Sequence, residues 1–192
     1  MCDDLHDAGF MVMAMTGIGA PNNNNSWRLS GSVGSPGGPT GRMCNIDAYF
    51  DCYADCGHCE DSCWWTTCQD SIAQTVEMID YVLDNFCIDL SRIWSLGCSN
   101  GGIYQFELAR DYRTHNLLAG VVSMVGIPLY GHNYGPSSPM HFLGIWGLND
   151  ATVPPKAGVA DDGSFISDRS SQKQGRLYQT AESTTAKWAE VL

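Results

Sequence analysis

Apolar residues fall along this chain in two alternating patterns. One is a short unbroken run. Residues 10–15 read Phe-Met-Val-Met-Ala-Met with no polar position between them, a pattern that suits a strand buried on both faces of a parallel sheet. The other is a helical stripe. Ile72, Val76, Ile79, Leu83 and Phe86 recur at 3.6-residue spacing and predict an amphipathic helix over 69–86. Further apolar runs within 88–96, 117–126 and 142–147 predict strands. Residues 100–113 predict a helix with Ile103, Phe106 and Ala109 on its packed side, and 180–192 a closing helix. Residues 1–8 read as the last turns of a helix closed by Gly9. Residues 16–41 and 148–169 read as irregular. Strands alternating with helices predict an α/β domain, a parallel sheet with helices on its faces. Sites in such sheets lie beyond the carboxyl ends of the strands.

Two of those ends carry chemistry. The strand over 88–96 runs into Gly97-Cys98-Ser99-Asn100-Gly101, and a helix follows. This is G-x-S-x-G between strand and helix, the setting of a nucleophile elbow. Gly97 and Gly101 are small because the turn must close tightly, and the turn lifts the Ser99 hydroxyl clear of the sheet. The backbone N–H of Asn100, at the start of the helix, is then one oxyanion donor. The run at 142–147 leads to Asn149-Asp150, and a carboxylate there can orient an imidazole and stabilise its charged form. A triad in that chain order needs a histidine after Asp150. None of the five histidines, His6, His58, His115, His132 and His141, follows it. His141 begins a strand and His115 joins a helix to a strand, so both belong to the opposite edge of the sheet. His132 lies in a loop that could reach the site. A second oxyanion donor should come from a loop after an earlier strand, and nothing before residue 10 resembles one.

Composition narrows the partners. With 21 acidic against 10 basic side chains the formal charge is −11, which disfavours nucleic acid. Ten of the acids lie between Arg42 and Arg92, where there is no Lys or Arg, and read as a solvated acidic face. No apolar run approaches the ~20 residues of a membrane span. Six of the nine cysteines, Cys44, Cys52, Cys56, Cys59, Cys63 and Cys68, cluster in a cysteine-rich insertion over 42–68. They predict disulfides in an oxidising compartment, with zinc at Cys56 and Cys59 as the rival. Cys2, Cys87 and Cys98 read as free buried thiols. Asn24-Asn25-Ser26 is a glycosylation sequon, which agrees with secretion. The polar, acidic first residues carry no signal peptide.

The Gly97-Cys-Ser-Asn-Gly-Gly102 elbow, the Asp150 stretch, Trp64 to Gln69 and the closing Thr185-Ala-Lys-Trp-Ala-Glu190 resemble the secreted polyhydroxybutyrate depolymerase and feruloyl esterase group of α/β-hydrolases. The resemblance runs from about residue 4 to 192. It implies a three-layer α/β-hydrolase-like sandwich with a mostly parallel sheet, Ser99 as nucleophile and Asp150 as the acid of the triad. Two departures stand out. The group has His-Gly before the Asp loop where this chain has Trp146-Gly147. Its catalytic histidine and its oxyanion loop would lie beyond either end of this chain, and its strand between 10–15 and 93–96 has no counterpart. Residues 1–192 are therefore expected to be a single domain incomplete at both ends, with unpaired backbone groups costing about 1–3 kcal/mol apiece along the missing strand. The expected function is a secreted serine carboxylic-ester hydrolase that forms an acyl-enzyme on feruloyl, acetyl or polyester substrates, with no metal or organic cofactor. The alternative is a catalytically inactive extracellular binding module that presents Trp64 and Trp65.

Overall fold

The computed structural model describes residues 9–19, 25–29, 69–129, 135–155, 157–159, 165–167 and 178–192. The cysteine-rich segment, Cys2, Asn24, Trp64, Trp65, His6, His58, His132 and the predicted helix over 1–8 lie outside these residues. The centre of the fold is a three-stranded parallel sheet of β3 (Trp94–Cys98), β4 (Gly120–Met124) and β5 (His141–Ile145), in that order. Helix α2 (Asn100–Arg110) makes the crossover from β3 to β4. Helices α1 (Ser71–Asn85) and α3 (Ala181–Ala189) precede and follow the sheet in sequence. Two short antiparallel hairpins, β1 (Ile18–Gly19) with β2 (Asn25–Ser26) and β6 (Ala157–Val159) with β7 (Phe165–Ser167), fall in stretches that read as loops. Strands of two or three residues are too short to show alternation, so periodicity could not find them.

The long helices follow from local chemistry. Asp70 caps α1 by accepting the Ala73 N–H at 3.1 Å, and Thr180 caps α3 by accepting the Ser183 N–H at 2.9 Å. Each satisfies a donor that the helix cannot pair itself. The stripe predicted for α1 buries Ile72 and Ile79, while Phe86 ends outside the helix and exposed. Helix α2 is buried almost all round, with Ile103, Tyr104, Phe106, Leu108 and Ala109 in the core.

Register decides which sheet face is covered. Ser95, Val121 and Phe142 lie side by side, as do Gly97, Ser123 and Gly144. This face packs on the helices. Phe106 of α2 meets Phe142, and Trp188 of α3 stacks on Phe142 at 4.3 Å between ring centroids. The Trp188 indole N–H also donates to the Met140 carbonyl at 2.8 Å. Trp188 is 2% exposed, so Trp188→Ala is expected to destabilise the chain by about 3–5 kcal/mol, read as a lower midpoint in urea unfolding.

The opposite face differs from the expected three layers. Trp94, Leu96, Leu143 and Ile145 are each about half exposed. Their neighbours Cys98 and His141 are exposed too. Among the described residues the domain therefore has two layers. Residues 10–15 form no strand, and Phe10, Met11, Val12 and Met13 are exposed. The expectation of a buried strand fails there because a ladder needs a neighbour on which to spend its N–H and C=O groups, and no described strand runs beside this segment. The thiols of Cys87 and Cys98 are free, as read from the sequence, but exposed rather than buried. Cys98 faces the uncovered side of the sheet.

Arg113 ties α1 to the end of α2. Its guanidinium bonds Asp70 Oδ2 at 2.7 Å and Asp111 Oδ2 at 2.9 Å. These bonds hold both carboxyls below their ordinary value of 3.8. A carboxyl depressed on folding adds stability above its unfolded pKa, and that stability is lost as the pH falls through the folded one. The Asp70 side chain is 48% exposed, so screening limits the contribution to about 1 kcal/mol. Arg113→Met is expected to lower stability by that amount at pH 7. The difference from the parent chain should shrink as the pH falls below about 4 and the two carboxyls take up protons, as acid titration of the unfolding midpoint would show.

Candidate active site

The turn between β3 and α2 is the most constrained point on the carboxyl edge of the sheet. Ser99 has φ 53 and ψ −118, a left-handed backbone that non-glycine residues rarely adopt. Its N–H donates to the Met124 carbonyl at 2.8 Å and its carbonyl accepts the Ile103 N–H at 3.0 Å. A serine before a helix ordinarily caps it through its hydroxyl. Here the side chain makes no cap bond. The hydroxyl accepts and donates no hydrogen bond among the described residues and stays at the sheet edge, on a half-buried residue. The first N–H groups of α2, beginning with Asn100, have no intrahelical acceptors and bring the positive end of the helix dipole beside it.

The glycines make this turn possible by close approach. A Cβ on Gly97 would fall inside the van der Waals shell of the Gly101 carbonyl and 2.6 Å from the Gln105 side-chain nitrogen. Gly101, also expected to be small for tight closure, differs: a Cβ there would stand 3.4 Å from the Trp27 indole, an ordinary contact distance. A Cβ on Gly102 would come within 2.7 Å of the Met124 carbonyl.

Asn100 does more than its backbone N–H suggested. Its buried side chain accepts the Trp27 N–H through Oδ1 at 2.9 Å. Trp27 stacks on Tyr104 at 5.1 Å. The Tyr104 hydroxyl shares a 2.8 Å hydrogen bond with Thr75, and burial pushes the phenol pKa well above its ordinary value. The segment 25–29 is thereby fastened against the elbow. Nothing in its Asn- and Ser-rich sequence announced this. The one available sign was an isolated tryptophan in an otherwise polar loop.

Asp150 stands at the same edge, five residues beyond β5. Strands β3 and β5 flank β4, so the two strand ends are roughly 9–10 Å apart. The Asp150 Oδ1 accepts the N–H groups of Thr152 at 2.8 Å and Val153 at 3.0 Å. This is an Asx-type turn that fixes the carboxylate. Its Oδ2 accepts no hydrogen bond from any described residue. The structure thus brings Ser99, Asn100 and Asp150 to one edge and places no described histidine with them. His141 starts β5 at the far end, stacked on Trp94 at 5.7 Å. His115 bonds Ser138 at 3.0 Å near the amino end of β4. Among the described residues no group of three or more His, Cys, Asp or Glu could hold a metal ion, and no helix is long and apolar enough to cross a membrane.

Feruloyl esterase C of Emericella nidulans is 27% identical over 113 residues, 57% of this chain and 39% of that protein. The probable feruloyl esterase C of Aspergillus flavus is 29% identical over 114 residues, 57% of this chain and 40% of that protein. The chain is similar to fungal feruloyl esterases. A further probable feruloyl esterase C, from Aspergillus niger, is 27% identical over 113 residues. The chain spans about two fifths of the length of these feruloyl esterases. No family model and no solved structure matches it.

Proposed function

We propose that this chain carries the nucleophile and the acid of a secreted serine carboxylic-ester hydrolase acting on feruloyl or related aromatic esters. The unspent hydroxyl of Ser99, on a left-handed turn at the mouth of α2, is the observation that carries this reading. In the proposed reaction Ser99 Oγ attacks the ester carbonyl as an imidazole takes its proton. The Asn100 N–H donates to the developing oxyanion. The alcohol leaves with the proton returned by the imidazole, and water then releases the acid from the acyl-enzyme. Asp150, with Oδ2 uncommitted, orients that imidazole and stabilises its charge. The similarity to feruloyl esterases supports an aromatic acyl group.

The described residues supply no imidazole at this edge. Without an imidazole at this edge, hydrolysis of activated aryl esters is expected only at the residual level, about 10³–10⁴-fold over water, that remains when one triad member is missing. A fluorophosphonate probe with peptide mapping tests the assignment in a polypeptide that contains this chain and has a histidine at this edge. Phosphonylation should map to Ser99, and a stoichiometric label on any other residue would sink the proposal.

A further inference from the structure

Besides Ser99, the non-glycine residue with a left-handed backbone among those described is Val125, at φ 47. For a β-branched side chain this is an outlier, because Cβ and its two methyls crowd the adjoining carbonyl. Such strain persists only where the surroundings over-determine it, and the bonds around Val125 do so. The Met124 carbonyl before it accepts the Ser99 N–H at 2.8 Å. Its own N–H donates to the Ile145 carbonyl at 2.8 Å. The Gly126 carbonyl after it accepts the Trp146 indole N–H at 2.8 Å and lies 2.9 Å from the Ser123 hydroxyl. Gly126 itself is pressed so closely on α2 that a Cβ there would meet the backbone of Gly102 and Ile103. Rotating Val125 to a negative φ would swing the Gly126 peptide relative to the Met124 carbonyl. The bonds on the two sides could not both survive.

We propose that Val125 is a positioning residue for Ser99. Its left-handed backbone aims the Met124 carbonyl at the Ser99 N–H and locks the elbow to the end of β5, the strand that leads to Asp150. This role rests on Ser99 being the nucleophile. The crowding that raises the energy of valine in this region also makes its well narrow, and the branched side chain is stiff. Glycine would sit there without strain but in a broad well. Stability and precision therefore move in opposite directions on substitution, which a residue that merely packs would not do.

The test compares the chain with Val125→Gly and with Val125→Asn, since asparagine tolerates the left-handed region and keeps a side chain. Two quantities are read: the thermal midpoint and hydrogen exchange at the Ser99 amide. In Val125→Gly the midpoint should rise by several degrees. Ser99 amide exchange should quicken about tenfold or more. Val125→Asn should shift both in the same directions by less. A lower midpoint in both variants would mean that Val125 stores no strain. A raised midpoint with unchanged or slower Ser99 exchange would mean that the strain holds nothing in place. Either result overturns the inference. If the fluorophosphonate label maps to a residue other than Ser99, the nucleophile assignment fails and the catalytic role of Val125 falls with it. The exchange data would still show whether Val125 holds the turn.

Discussion

Gly97→Ala is expected to destabilise the chain by about 4 kcal/mol or more, a large share of its total stability. The added methyl would overlap the Gly101 carbonyl, which belongs to helix backbone and cannot rotate away as a side chain could. The Gln105 amide nitrogen, 2.6 Å from the same point, is held by its own bond to that carbonyl at 2.9 Å. The elbow could open only by moving α2 off β3, which would uncover Ile103, Phe106 and the sheet face beneath them. Domains of this size hold only about 5–15 kcal/mol in total. Urea unfolding followed by far-UV circular dichroism measures the effect. A midpoint within 0.5 M (about 1 kcal/mol) of the parent would show that the turn accommodates a side chain.

Asp150→Asn separates two roles that one carboxylate plays in this structure. The turn needs an acceptor at Oδ1 for the Thr152 and Val153 N–H groups, and an asparagine carbonyl supplies it. Orienting and stabilising an imidazolium needs the negative charge, which asparagine lacks. In a polypeptide with its histidine in place, kcat should fall by about 10⁴ while the thermal midpoint stays within roughly two degrees. Asp150→Ala should lose the turn as well and cost about 1–2 kcal/mol of stability. Equal activity in the parent and the asparagine variant would reduce Asp150 to its structural turn. Aryl-ester turnover beside thermal melts distinguishes the cases.

The elements with a long repeat were legible in the sequence. Helix α1 announced itself through Ile72 and Ile79, and β4 and β5 through apolar runs bounded by turn residues. The elbow was legible because tight backbone closure leaves a mark in residue type, at Gly97. Three features were not. Segment 10–15 has the composition of a buried strand, but composition says nothing about whether a neighbour exists to pair with it. The fastening of Trp27 to Asn100 joins residues 73 apart in sequence, and no local pattern encodes that. Val125 shows a subtler limit. A left-handed position normally reads as glycine or asparagine, so a valine there hides the turn it makes. The sequence alone also left Asp150 between an Asx turn and a triad acid; in the structure Oδ1 accepts the N–H groups of the turn and Oδ2 accepts none from any described residue.

The bare side of the central sheet changes how unfolding itself will look. Trp94, Leu96, Leu143 and Ile145 are already wet in the folded state, so denaturation hydrates less new apolar surface than the chain length implies. Both the denaturant slope and the heat-capacity increment scale with newly exposed area. Both should fall short of the usual ~12–15 cal/mol/K per residue and its matching slope. The stability curve of the chain should accordingly be flatter with temperature, and its urea transition broader, than for a domain whose sheet is covered on both sides.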